Sequence, residues 1–420
     1  MYNTKKFDNG LTLIHSYMES VRSVAIGIYV KAGSAQETEK NNGIAHFIEH
    51  LLFKGTKKRN AFELVSEIED IGAVINASTS KEVTNYYTSS LSEHAEHCMD
   101  ILSDMFFNSS FPDEELEKEK GVVLEEIAMC EDTPEDVCFD LASEAFFPNH
   151  PLGRPILGPS ENVKSFTRYD IESFMADFYT ADATVISIVG GVDFEKAIAL
   201  TEKYFASKFK NFKQNRKELP KSSPNSCLIT KFKPIEQTNV ILAFPSLPLG
   251  HELEVPLAIM NTALGSSMSS RLFQRVREDN GFAYSIYSYP NVYIKDGYFV
   301  IYFGSAKEKM KNALKTIKAE LDLFLKDGIT DVELNRAKEQ LKSSFVMSRE
   351  STRGVMGSIG RSQLLRGSVI SVDEQLDRIS KVTKEEVLEV SKLIFDYTKV
   401  VIAYVGKKTS ADLLKTFLKG

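Results

Sequence analysis

His46, Glu49 and His50 are the residues of this chain whose types and spacing are best suited to chemistry. They fall in an apolar run, with Gly43-Ile44-Ala45 before and Leu51-Leu52-Phe53 after and no proline between, which reads as a buried helix. At about 100° per residue, His50 lies about 40° round from His46 and Glu49 about 60° to the other side, so the three share one face. Two imidazoles at i and i+4 suit Zn2+, and a carboxylate between them suits a general base for an activated water. A catalytic zinc needs a third protein ligand. Glu125 and Glu126 offer it, from a charged helix expected over about residues 113–129. Of the other histidines, His94 and His97 read as surface residues of a helix over 92–107. His15, His150 and His251 lack partners at ligand spacing and read as structural or exposed.

The elements that must position these groups can be placed coarsely. A Val/Ile-rich alternation over 21–31 reads as a strand, followed by the histidine helix over 43–53 and a second helix over 61–71. Residues 72–91 read as a hairpin broken near Lys81-Glu82, and 135–146 and 169–178 as further helices. Residues 184–191 form a continuous apolar strand. A polar stretch with two prolines marks a linker over 211–226. The second half then echoes the first. Val240-Ile241-Leu242 follows Val24-Ala25-Ile26 at an offset of 216, Leu272-Phe273 follows Leu52-Phe53 at 220, and Val400-Val401-Ile402 follows Thr184-Val185-Ile186 at 216. Three echoes in one order point to duplication. The expected organisation is an α+β chain of two tandem homologous domains, 1–210 and 227–420. Shifting His46, Glu49 and His50 by 220 lands on Ser266, Ser269 and Ser270, and shifting Glu126 by 218 lands on Ser344. The second copy is therefore expected to lack the metal site.

Composition bounds the rest. The chain of 420 residues is 43% hydrophobic and 26% charged with a net charge of −7, ordinary for a soluble protein and unsuited to nucleic acid as the main partner. Cys98, Cys130, Cys138 and Cys227 show no paired spacing and read as reduced thiols. No run of about 18 apolar residues marks a membrane span, and no signal or transit segment opens the chain. A bacterial cytoplasmic protein is the expectation.

The HxxEH pattern with a distant glutamate resembles the pitrilysin and insulin-degrading metallopeptidases, the inverted zincins, and within them the mitochondrial processing peptidase subfamily and its bacterial relatives. Further stretches share the resemblance: Asn9-Gly10-Leu11, and residues 46–56, 76–87, 117–129, 152–159 and 270–288. It implies a zinc endopeptidase acting on peptides or unfolded polypeptide segments, each half an α+β domain with a mostly antiparallel sheet. One Zn2+ per chain would be held by His46, His50 and Glu126, with Glu49 as base and Glu119 as a supporting glutamate. The spacing agrees, because Glu119 lies seven residues before Glu126, two turns back on one helix face, whereas Lys118 occupies that place before Glu125. The resemblance also implies that Asn76, Ala77 and Ser78 pair with extended substrate, and that Arg277 and Tyr284 hold substrate carbonyls. Relatives with four such domains in one chain imply a homodimer here. Two further readings are a non-catalytic assembly subunit and a peptide-binding module with a vestigial metal site. Gly265-Ser266-Ser267 stands where the non-catalytic processing subunit carries a longer glycine-rich loop.

Overall fold

A computed structural model describes residues 2–209 and 219–409 of the chain. Its described residues form two compact units: 2–127, 154–209 and 347–371 make the first, and 128–153, 219–346 and 372–409 the second. These differ from the continuous division 1–210 and 227–420 in two exchanged segments. Half of the expected linker, 211–218, lies outside the described residues, and the other half, 219–226, forms neither helix nor strand.

The first unit is built on six strands, β1 (Asn3–Lys6), β2 (Thr12–Tyr17), β3 (Ser23–Val30), β4 (Val74–Thr79), β5 (Thr84–Leu91) and β6 (Thr184–Gly190), in the order β1-β2-β6-β3-β5-β4. The second unit has β7 (Cys227–Phe232), β8 (Gln237–Pro245), β9 (Ser285–Val292), β10 (Gly297–Ala306) and β11 (Val401–Gly406), in the order β7-β11-β8-β10-β9. The two orders coincide once β2, β6, β3, β5 and β4 are set against β7, β11, β8, β10 and β9. The pairings match as well. β2–β6 and β7–β11 are parallel, and the remaining equivalent pairs are antiparallel. The duplication legible in the sequence is thus present as α+β architecture.

Five helices of the first half matter for the site: α1 (Ile44–Leu51), α2 (Ala61–Asp70), α3 (Ala95–Asn108), α4 (Asp113–Asp132) and α5 (Pro134–Phe146). β3 is buried on both faces, so its Val/Ile run is nearly continuous. Val24, Ile26, Ile28 and Val30 pack into a core with Phe47, Ile48 and Leu51 of α1 and Ile101, Leu102 and Met105 of α3. The alternate positions Ala25 and Tyr29 face a different partner, Val355, Met356 and Ile359 of the helix Thr352–Arg366. That helix comes from the second half of the sequence. Its approach is close: a Cβ on Gly360 would lie 2.4 Å from Tyr29 Cε2, and one on Gly27 would lie 2.3 Å from Met356 Sδ. In return, α5 packs on β8 and β11 in the second unit, where Phe139 stacks on Tyr302 and Phe146 on Tyr298. Both helices follow at the same offset, since α4 begins at Asp113 and its counterpart Asp331–Met347 begins 218 residues later. Equivalent helices have exchanged sheets.

Candidate metal centre

α1 lies beside β4, the edge strand of the first sheet, with α4 bringing acidic side chains onto its polar face. His46 Nε2 and His50 Nε2 each lie 3.6 Å from the same oxygen, Glu126 Oε2. Four ligands at about 2.0–2.1 Å round a tetrahedral ion stand about 3.4 Å from one another, so these donors sit near the vertices of a zinc site. Among the described residues, His46, His50 and Glu126 are the one group of three His, Cys, Asp or Glu side chains with ligand atoms close enough to hold an ion. Glu125 points outward and is exposed. The two nitrogens and one carboxylate oxygen are the donor chemistry zinc takes in hydrolytic sites, and the site fits it.

The electrostatics are set by what surrounds these donors. Glu119 is almost fully buried. Its Oε1 lies 2.8 Å from His50 Nδ1 and its Oε2 2.7 Å from Lys54 Nζ. A bond at Nδ1 leaves Nε2 of His50 as the nitrogen lone pair facing Glu126. Burial pushes the Glu119 carboxyl up, but the hydrogen bonds from His50 and Lys54 outweigh it and hold it below the usual range. Burial likewise acts to lower His50, and the bond and charge of Glu119 overcome it, so His50 is raised. His46 has no such carboxylate, and burial followed by the charge of His50 brings it down to about 4. Its Nδ1 is buried without a partner. Glu49 is raised by burial, partly offset by hydrogen bonding with Thr79, and its Oε2 has no partner. A carboxylate left basic, with one oxygen unclaimed, beside three donors that could hold an ion is suited to accept a proton.

The other residues singled out in the sequence fall as follows. Asn76 and Ser78 lie exposed on β4, with Ala77 between them; Asn76 Oδ1 accepts from Ala77 N at 2.7 Å. The outer edge of β4 pairs with no other strand among the described residues. Arg277 and Tyr284 belong to the second unit, where the guanidinium lies 5.7 Å from the centre of the Tyr284 ring and Tyr284 is exposed. His15 is buried with Nε2 2.7 Å from Val192 O, and His150 Nε2 is 2.9 Å from Pro220 O, both structural. Among the described residues no disulfide joins Cys98, Cys130, Cys138 or Cys227. Sequence reasoning missed Lys54 and Glu37. Lys54 had a signal, since it follows His50 by four residues.

Comparison with known proteins decides the family. The insulinase (peptidase family M16) profile matches residues 13–160, and the peptidase M16 inactive-domain profile matches 165–341. A Bacillus subtilis protein named as the uncharacterized zinc protease YmxG is 42% identical over 96% of this chain and 98% of its own. The chain belongs to peptidase family M16. A Streptomyces coelicolor M16 relative, likewise named as an uncharacterized zinc protease, is 38% identical over 91% of this chain and 85% of its own. The M16 fold recurs in a crystal structure of a peptidase M16 inactive domain from Pseudomonas fluorescens, with a TM-score of 0.91 at 20% identity over 98% of both chains. A protease from Helicobacter pylori superposes with a TM-score of 0.90 at 22% identity, over 97% of this chain and 99% of that one. No helix among the described residues is long and apolar enough to cross a membrane.

Proposed function

We propose that this M16 protein is a zinc-dependent endopeptidase that cuts peptides or unfolded polypeptide segments, using the inverted HxxEH arrangement in its first unit. The observation that carries the reading is the shared 3.6 Å approach of two imidazole nitrogens to one carboxylate oxygen, beside a half-buried glutamate with an unclaimed, shielded oxygen. His46, His50 and Glu126 would hold one ion. Bound zinc supplies Lewis acidity for the scissile carbonyl and the attacking water. Glu49 takes a proton from that water as its oxygen adds to the carbonyl carbon, and returns it to the amine nitrogen as the C–N bond breaks. Glu119 holds His50 by its Nδ1. The open edge of β4 offers backbone groups at Asn76, Ala77 and Ser78 to an extended substrate, which would accept many sequences because main-chain bonds ignore side chains. Arg277 and Tyr284 are assigned to substrate carbonyls as donors.

Glu49→Gln tests the reading. Zinc content should stay at one per chain while turnover of a quenched peptide falls at least 10²–10⁴-fold, the contribution of a general base. Loss of zinc from a folded Glu49→Gln protein would make Glu49 a ligand. Zinc binding by the wild type without turnover would favour a non-catalytic subunit. We further propose a homodimer in which Arg277 and Tyr284 of one subunit serve the other subunit's zinc. Mixing Glu49→Gln protein with an Arg277→Ala, Tyr284→Phe double variant should restore activity by giving one intact site per mixed dimer. No recovery after confirmed subunit exchange refutes the shared site.

A further inference from the structure

α1 carries three of the site's groups in eight residues, yet it opens without a cap of its own. Its N-cap is Gly43, with φ of +101° and no side chain to accept from the first-turn N–H groups. Such donors need an acceptor when buried. Glu37, six residues earlier, supplies it. Its Oε2 accepts from Gly43 N at 2.8 Å and from Asn42 Nδ2 at 2.7 Å, and its Oε1 from Ala45 N at 2.8 Å. The Ala45 bond fixes the residue next to His46.

Glu37 is itself held from the far side. Its carbonyl oxygen accepts from Arg154 Nη1 at 2.5 Å, and Asn42 Nδ2 also reaches Pro155 O at 2.8 Å. Gly43 and Gly158 meet back to back: a Cβ on Gly43 would lie 2.4 Å from Leu157 O, and one on Gly158 2.2 Å from Asn42 O. The start of α1 is therefore clamped between the Glu37 carboxylate and the backbone of 154–158. The need is geometric. Rotating a helix about 20° on its axis carries a side-chain tip about 2 Å, given a radius with side chains of about 5–6 Å. Catalytic groups tolerate about 0.5 Å. An anion at a helix N-terminus is also favoured by the peptide dipoles.

We propose that Glu37 is a positioning residue for the hydrolytic site, acting as a detached N-cap that sets the rotation and axial position of α1 and so the placement of His46, Glu49 and His50. This rests on the zinc-peptidase reading above. Only a carboxylate serves. Three donors converge on its two oxygens, and an amide at this place would turn an NH2 group toward a donor.

The full-length Glu37→Gln protein tests this by zinc affinity in chelator competition, the absorption spectrum of its Co2+ form, and kcat and KM on a quenched peptide. The expected result is zinc affinity lowered about 10–100-fold, the range for residues that orient metal ligands. The Co2+ bands should shift, and kcat should fall with KM within about twofold of wild type. Glu333→Gln, which breaks a half-buried ion pair with Arg271 in the second unit, is the control for destabilisation alone and should leave the Co2+ spectrum unchanged. A folded Glu37→Gln protein with wild-type affinity, spectrum and kcat overturns the proposal. If Glu37→Gln does not fold, Glu37→Asp decides. It keeps the charge but cannot span both bonds, and unchanged zinc affinity and kcat there overturn the proposal equally. Failure of the wild type to bind zinc or cleave peptide would instead overturn the peptidase reading on which this one rests.

Discussion

Replacing Glu119 by glutamine should weaken zinc binding without unfolding the protein. Glutamine keeps the length of the side chain and one carbonyl oxygen, so it can still accept from His50 Nδ1, now 2.8 Å from the carboxylate. Its other end is then an NH2 group facing Lys54 Nζ, which today lies 2.7 Å from Glu119 Oε2. If the amide flips to satisfy Lys54, it turns the NH2 group on His50 instead. Either orientation sets two donors face to face and removes the negative charge that raises the basicity of His50. Partners of this kind are worth about 10–100-fold in metal affinity, or about 1.4–2.7 kcal/mol. The upper end is expected, because the Glu119 side chain is only 4% exposed and both of its oxygens are in use. Competition against a chelator of known zinc affinity measures the effect. Lys54→Met should cost less, since Glu119 retains His50. A folded Glu119→Gln protein whose zinc affinity stays within twofold of wild type would show that Glu119 does not support the site.

Two other perturbations probe the scaffold. Arg271 and the Thr330 cap hold Glu333 down to about 2 against the opposing effect of burial, so its carboxylate stabilises the fold above the unfolded value near 4.5. That stability is lost as pH falls from there toward 2. The difference in Tm between wild type and Glu333→Gln should shrink across that window, and a difference constant from pH 5 to 2.5 would contradict the assignment. A fragment of residues 1–210 lacks the helix Thr352–Arg366 and leaves Ile14, Ala25, Tyr29, Val185 and Val189 bare. It should bind a hydrophobic dye or aggregate, and adding a peptide of residues 347–371 should reduce both; a soluble, cooperatively folding fragment without it would contradict the packing described.

The groups on α1 were legible because a helix turns spacing into direction, so His46, Glu49 and His50 need only the 100° rule to share a face. Glu126 was legible at one remove, through its seven-residue spacing from Glu119. Glu37 was not. It reaches α1 through a non-periodic segment, and the one hint was the missing cap at Gly43. The duplication showed in β3 and β8 because strands buried on both faces must be apolar throughout. The exchanged helices did not show, since an apolar pattern announces that a face is covered and never names the cover. Helix Thr352–Arg366 is a poor amphipath besides, with Gly357 and Gly360 giving up side chains where Tyr29 approaches.

That exchange sets a timetable for synthesis. The last strand of the first sheet ends at Gly190, and the helix that covers its second face ends at Arg366, 176 residues later. At about 5–20 residues per second, a ribosome takes about 9–35 s to bridge the gap. Throughout that interval the emerging sheet offers water an uncovered patch around Tyr29 and Val189. For those seconds the nascent chain is the kind of exposed polypeptide that chaperones hold and peptidases cut.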